Sequence, residues 1–282
     1  MNDADRHRTF VRERWPEIEA ATFEPIEGGW ACFTYLVDRA WIFQFPRLPD
    51  ADGRLRRQIA LLPELAREVS SAVPVPAFAS TDPVCMGYRR IEGRPMSADV
   101  DGIWPERLGR FLYDLHLTPP EFVGMRQIPA TAVHEGLRAE VASLGEHVLP
   151  RLDPQERAFA EATIERYFAD EANVRFAPCL THGDIGPEHV LITETGDLAG
   201  VIDWGGLEVG DPVFDLAWLL HAMPATGERV LGAYGGAPDE RFFVRARFAF
   251  LLMPWHEVRY GVQTGQDALV RSGMEGVRAR LA

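Results

Sequence analysis

The 282-residue chain contains no lysine; all 29 of its basic side chains are arginine. Any phosphate ligand would therefore meet arginine, backbone amides or a metal, never a lysine ammonium. Cysteine is scarce as well. Cys32, Cys85 and Cys179 are scattered without a CxxC pair, which excludes a disulfide framework and reads as buried free thiols in a reducing compartment. No apolar run reaches the roughly 18 residues that span a bilayer. The N-terminus, MNDADRHRTF, has no apolar stretch of the kind a secretion signal needs. A cytoplasmic protein without a membrane partner is expected. Positive charge is also short, with a net charge of −13. Residues 1–95 hold 13 arginines and 14 acids, so the acidity sits almost wholly in the rest of the chain. That argues against a nucleic-acid partner. It suits a cationic ligand, because an acidic cleft concentrates cations, though a merely soluble acidic surface would look the same.

Length and a 46% hydrophobic content point to one large domain or two lobes sharing a cleft. The pattern divides near residue 95. Residues 5–18 read as a helix, followed by strand-like runs at 22–27, 31–37 and 41–45, separated by Gly28-Gly29 and Asp38-Arg39. Asp52-Gly53 opens a helix with Leu55, Ile59, Leu62 and Leu65 on one face. Val73-Pro74-Val75-Pro76 must be extended, and 84–90 is a further strand. Residues 1–94 thus form a small antiparallel sheet with one helix, ending in a connector. Residues 95–282 turn helical: 104–116, 133–148, and a helix to about 168 opened by Asp153-Pro154-Gln155-Glu156. Short β runs at 190–193 and 198–202 flank a Thr195-Gly196-Asp197 turn. Helices follow at 212–222, 240–252 and 267–281. The expected fold class is α+β and bilobal, with a sheet-rich N-lobe and a larger, mainly helical C-lobe.

The chemistry concentrates between Thr181 and Trp204, THGDIGPEHVLITETGDLAGVIDW. His182-Gly183-Asp184 leads through His189 into a hairpin that ends on Ile202-Asp203-Trp204. Phosphoryl transfer needs a carboxylate to orient an attacking hydroxyl, and oxygen or nitrogen ligands for the metal that bridges the phosphates. Asp184 suits the first role, and Asp203 with His189 the second. A zinc site built from His182, Asp184 and His189 is an alternative, but it leaves Asp203 unexplained.

These residues, with Gly210-Asp211-Pro212-Val213-Phe214-Asp215-Leu216-Ala217, resemble the aminoglycoside phosphotransferase family, antibiotic kinases with a protein-kinase-like fold. The family pattern is HGDxxxxN, a hairpin, IDW or IDF, then GDPxxDLA. The resemblance covers nearly the whole chain, more weakly in the N-lobe. It implies a bilobal kinase fold, Mg²⁺, and ATP or GTP as donor. It makes Asp184 the catalytic base or hydroxyl-orienting group, Asp203 the principal metal ligand, and Asp211 and Asp215 structural, capping a helix and bracing the catalytic loop; His182 is expected to be structural too. His189 stands where the family usually has Asn, and in this resembles the 2″-aminoglycoside and macrolide 2′-phosphotransferases; some members of those branches prefer GTP. Gly28-Gly29 falls where the family places its nucleotide loop, though a plain hairpin turn reads the same way. Gln44 stands where the family has Lys or Arg on the phosphates. Gln58 stands where its Glu partner would be, and a Gln–Gln hydrogen bond would keep the geometry without charge. Arg47 is the candidate phosphate cation, with Arg54 and Arg57 behind it. Arg89 and Ile91 would meet the purine through the hinge backbone, and Met86 would border the base.

The acceptor is expected to be a small cationic molecule with a hydroxyl, bound by a monomer. Trp255 and Glu257, in Trp255-His256-Glu257-Val258-Arg259-Tyr260, are candidates to stack on a ring and bind an ammonium. Glu188, Glu208 and Asp211 would add negative charge. An aminoglycoside-type antibiotic is the first expectation. A macrolide or other antibiotic, a metabolic hydroxyl compound, or ligand binding without transfer are the others.

Overall fold

A computed structural model describes residues 2–27, 29–97 and 99–281. Helix α1 (Asp3–Arg14) is capped by Asn2, whose side chain accepts from the Asp5 amide. Strands β1 (Phe23–Ile26), β2 (Cys32–Val37), β3 (Trp41–Pro46), β4 (Pro76–Thr81) and β5 (Val84–Arg89) form one antiparallel sheet in the order β1-β2-β3-β5-β4. Helix α2 (Pro49–Leu65) joins β3 to β4. Alternation along β3 assigns its two faces. Phe43 and Phe45 turn toward α1 and pack with Val11, Trp15, Tyr35 and Val37. Ile42 turns the other way, onto Leu55, Leu62 and Leu65 of α2 with Val84 and Met86.

Residues 90–93 carry the chain across to the helical part. Strand β6 (Arg94–Pro95) already belongs to the far side, pairing with β8 (Val190–Ile192), which pairs with β9 (Leu198–Val201). Strands β7 (Cys179–Thr181) and β10 (Glu208–Gly210) make a separate antiparallel pair. Around them stand α3 (Trp104–Leu117), α4 (Ala130–Val148), α5 (Pro154–Ala169), α6 (Ala217–Ala222), α7 (Pro224–Tyr234), α8 (Phe242–Thr264) and α9 (Asp267–Leu281). One apolar core runs from Leu55 and Met86 under the sheet, through Trp204, to Trp104, Leu108 and Phe111 of α3. A second joins α4, α5, α8 and α9 through Val141, Tyr167, Phe248, Trp255 and Val277. The Val201 amide donates to the Ala72 carbonyl at 2.9 Å, a further tie between the two parts. No helix among the described residues is long and apolar enough to cross a membrane.

Three expectations change. The helix expected at 212–222 is broken into a 3-10 turn (Pro212–Asp215) and α6. An unexpected helix, α7, follows it. The helix expected to stop near Leu252 continues through Pro254 to Thr264. It is held there by α9, whose Gly273 lets the helices approach: a Cβ at Gly273 would lie 2.7 Å from Val258 Cγ2. At α5 the expected cap is present, with Asp153 accepting from the amides of Gln155 and Glu156 at 2.8 Å each.

His7 fastens α1 to the sheet. Its ring stacks on Phe45 at 4.0 Å between centroids, and its Nδ1 lies 2.9 Å from the Tyr35 hydroxyl. Burial lowers its pKa from 6.5 to about 4. The unfolded chain therefore binds the extra proton between those two values, so stability is full above pH 6.5 and falls as pH drops toward 4. The full shift would correspond to about 3 kcal/mol, and solvent screening of the partly solvated ring reduces the loss to about 1 kcal/mol. Thermal melts at pH 7 and pH 5 should show this loss, and His7→Phe should flatten the difference.

Candidate active site

The catalytic loop leaves β7 at Thr181 and has no regular structure of its own, so its amides need other partners. Asp215 supplies them: Oδ2 accepts from the His182 amide at 2.8 Å and Oδ1 from the Gly183 amide at 2.7 Å. Gly183 has φ +80°, and a Cβ there would lie 2.7 Å from the Gly206 carbonyl, so only glycine fits without strain. His182 is fully buried and burial lowers its pKa. Its Nε2 faces the Ile202 carbonyl at 3.0 Å and its Nδ1 accepts from the Asp184 amide at 3.3 Å. Those partners assign a neutral ring with the proton on Nε2. The hairpin β8–β9 returns the chain to this loop, where Ile202 N donates to His189 O at 2.9 Å.

His189 lies between the two exposed carboxylates. Its Nδ1 faces the Asp184 carbonyl at 2.8 Å, which places the proton there and leaves Nε2 as a free lone pair. Nε2 lies 3.7 Å from Asp203 Oδ2, and Nδ1 3.4 Å from Asp184 Oδ2. Burial opposes a charged His189, but Asp184 and Asp203 outweigh it and raise the pKa. Asp184 is 67% exposed at its side chain, yet it stands in a recess. Burial pushes its pKa up, His189 opposes the shift, and Asp203 and Glu188 add to it. Asp203 has φ +63° and ψ +69°, a left-handed conformation costing a non-glycine residue about 1–3 kcal/mol. The strain turns its carboxylate out at the hairpin's end.

Among the described residues, no three His, Cys, Asp or Glu side chains close into a metal cage. That disfavours the zinc alternative, and His182 is already spent on Ile202 and Asp184. Magnesium asks less: one or two side chains, with water and substrate phosphates completing the shell. Asp203 Oδ2 and His189 Nε2, two electron-pair donors facing each other, fit that demand.

The N-lobe sheet lies over this floor. Burial, with the Asp203 charge behind it, pushes the Cys32 thiol up to about 12 and raises Tyr88. Gln44 is half-buried, paired in register with Thr34 and Met86 on the α2 face. Gln58 is 5% exposed under the sheet. Among the described residues no hydrogen bond joins the two. Arg47 shares the parity of Phe43 and Phe45, and its guanidinium lies 4.7 Å over the Phe33 ring. That is the α1 face, opposite Gln44, so Arg47 and Gln44 do not share a face of the sheet. Arg54 is paired with Asp50 at 2.7 Å. Arg57 makes no ion pair among the described residues, and its charge is felt by Glu208 across the cleft. Arg89 lies over Trp41, and Ile91 sits in the crossing segment. Met86 is fully buried. Gly28 lies outside the described residues. Beyond Gly29, Trp30 stacks on Tyr260 of α8, with centroids 4.3 Å apart and planes 6° apart, and closes one end of the cleft.

The acceptor side differs from expectation. Trp255 is 3% exposed in the second core and presents no face to a ligand. Glu257 accepts from the Ser272 hydroxyl of α9, so it turns away from Asp184. Asp211 is 3% exposed and ion-paired with Arg245 at 2.5 Å. Glu188 and Glu208 are exposed at the loop and on β10. Glu140 of α4 is not among the expected residues; it faces His256 and Arg259, members of the expected 255–260 cluster. Arg259 reaches Glu140 at 3.3 Å, and Glu140 with burial raises the Glu208 pKa.

A family model described as the phosphotransferase enzyme family matches residues 22–251. The chain is 36% identical over 112 residues to viomycin phosphotransferase of Streptomyces vinaceus, a stretch covering 35% of this chain and 36% of that one. The match therefore spans about a third of that relative's length. The fold is similar to that of the GDP complex of wild-type aminoglycoside 2′-phosphotransferase-IIIa (TM-score 0.86, 21% identity, 99% of both chains). It is also similar to macrolide 2′-phosphotransferase from Brachybacterium faecium (TM-score 0.74, 22% identity, 97% of this chain and 98% of that one).

Trp255→Ala should therefore act on stability, lowering it by about 3–5 kcal/mol in urea unfolding. Glu140→Gln, on the cleft side, should leave the unfolding free energy within about 0.5 kcal/mol of wild type.

Proposed function

The chain belongs to the phosphotransferase enzyme family, and from that premise we propose that it transfers the γ-phosphoryl group of ATP or GTP to a hydroxyl of a cationic antibiotic of aminoglycoside type. The observation that carries the reading is the pair of outward carboxylates, Asp184 and Asp203, both facing one imidazole, His189. In the reaction the acceptor oxygen bonds to the γ-phosphorus, the bond to the β-phosphate oxygen breaks, and the nucleoside diphosphate leaves. Asp184 orients the acceptor hydroxyl and takes its proton. A raised pKa suits a carboxylate that must hold a proton briefly. Asp203 and His189 would hold Mg²⁺, which neutralises charge on the phosphates. Arg57, rather than Arg47, is the arginine available to the phosphates. GDP in the similar aminoglycoside enzyme supports GTP as donor.

Acceptor charge is argued from Glu140, Glu188 and Glu208. A protonated amine seated among them would stabilise the ionised form of Glu208, which burial and Glu140 now disfavour. Arg259 already occupies part of Glu140, so the acceptor would lean on Glu208 and Glu188. The 36% identity to viomycin phosphotransferase favours viomycin as a second acceptor.

The test is incubation with Mg²⁺, GTP or ATP, and a panel of kanamycin, viomycin and erythromycin, followed by mass spectrometry. A gain of one phosphoryl group on kanamycin or viomycin is expected, and silence across the panel would sink the antibiotic reading. Asp184→Ala should lower kcat at least about 100-fold, and retained transfer would remove Asp184 from the mechanism. Arg57→Ala should raise KM for the nucleotide, whereas Arg47→Ala should not.

A further inference from the structure

Behind Asp215 the hydrogen bonding continues away from the cleft. His116, in the last turn of α3, places Nε2 3.0 Å from Asp215 Oδ2. On its other side Nδ1 lies 2.6 Å from the hydroxyl of Tyr234, the last residue of α7. The His116 side chain is 5% exposed and Asp215 is fully buried. A buried carboxylate is tolerated only when its charge is met by a partner or by several hydrogen bonds. Among the described residues no arginine pairs with Asp215. His182 offers only its backbone, because both ring nitrogens are engaged elsewhere. The charge therefore rests on two backbone amides and the His116 imidazole. With Nε2–H donating to Asp215, Nδ1 is free to accept from the Tyr234 O–H, and both ring nitrogens of His116 and both oxygens of Asp215 have partners.

We infer that His116 and Tyr234 are positioning residues for phosphoryl transfer: through Asp215 they fix the amides of His182 and Gly183, and so the place of Asp184. The inference rests on the proposed reaction only for its kinetic readout. The hydrogen-bond series Tyr234–His116–Asp215–Gly183 reaches from the α3–α7 packing to the loop of Asp184, and neither Tyr234 nor His116 belongs to that loop. Removing the imidazole leaves Asp215 one donor short, which its side chain answers by turning or by taking up a proton; either loosens the loop. Asp215 is held ionised against burial first of all by the His116 hydrogen bond.

The test uses His116→Phe, His116→Gln and Tyr234→Phe in the full chain, with Mg²⁺, GTP and kanamycin. His116→Phe should lower kcat about 10- to 100-fold, the loss expected when a buried charged acceptor is left short of a donor. KM for GTP and for kanamycin should stay within about twofold, since neither ligand meets His116. Glutamine keeps a side-chain N–H for Asp215, and His116→Gln should recover most of the loss. Tyr234→Phe, which frees only the outer side of the ring, should fall between wild type and His116→Phe. Amide hydrogen exchange in the ligand-free protein supplies a readout independent of the acceptor. The His182 and Gly183 amides should exchange about tenfold or more faster in His116→Phe, while the amides of β8 and β9 stay protected. If kanamycin is not phosphorylated, the proposed acceptor is wrong and the exchange result alone decides this inference. Unchanged exchange at His182 and Gly183, a loss seen only in KM, or glutamine no better than phenylalanine would each overturn it.

Discussion

A fully buried carboxylate, that of Asp215, holds the His182-Gly183-Asp184 loop in shape. Asp215 accepts hydrogen bonds from two successive loop amides, an arrangement that fixes the peptide planes on either side of His182. Loops in proteins usually satisfy their amides with solvent; this one cannot, because His182 packs edge-on against the buried Trp204. The position of Asp215 is in turn secured by the residues before it. Asp211 caps the 3-10 turn, accepting from Val213 at 3.2 Å. It is locked to Arg245 of α8, which also reaches Asp239 at 2.7 Å. A fully buried guanidinium is costly unless every donor finds an acceptor. Here the two carboxylates accept from all three guanidinium nitrogens, and the Phe176 ring lies 4.9 Å beneath. The GDPxxD segment is thus a mount: one acid bound to the helical body, the other to the loop.

On that mount stands a cleft with unequal walls. The floor carries Asp184 and Asp203, both exposed, with the largely buried His189 between them. The roof presents the neutral side chains of Gln44 and Gln58, and Arg47 is turned to the Phe33 side of the sheet. Under the proposed reaction, charge neutralisation would fall to a metal held by Asp203 and His189 and to Arg57. The Trp30–Tyr260 stack joins roof and floor at one end, with the Tyr260 hydroxyl 3.4 Å from the Trp30 carbonyl.

Several errors of expectation had signals in the chain. Phe248, Leu252, Trp255 and Val258 recur at spacings of four, three and three, a single helical stripe. All four lie in the second core. Ending the helix at Leu252 hid the stripe and made Trp255 look like a ligand contact. Arg47 is two residues from Phe45 and four from Phe43, and strand parity puts all three on one face. Strands β7 and β10, three residues each, carry no periodicity long enough to read. Nor did the sequence announce Glu140, which is 44 residues before Asp184 and meets the cleft only because α4 packs beside α8 and β10.

The sequence by itself determined what is local. The HGD loop, the hairpin after His189, the Asp153 cap and the alternation along β3 are legible because turns, caps and strand faces depend on near neighbours. It also supplied the charged groups of the site, since Asp184, Asp203 and His189 lie within one stretch of chain. Tertiary structure decided direction. Which face of α8 is wet, which arginine sees the cleft and which carboxylate is buried against Arg245 depend on elements tens to hundreds of residues apart. The link from His116 to Asp215 spans 99 residues, and that from His116 to Tyr234 spans 118. No local pattern specifies such pairings; they follow from the packing of α3 against α7 and from the need of a buried carboxylate for a donor.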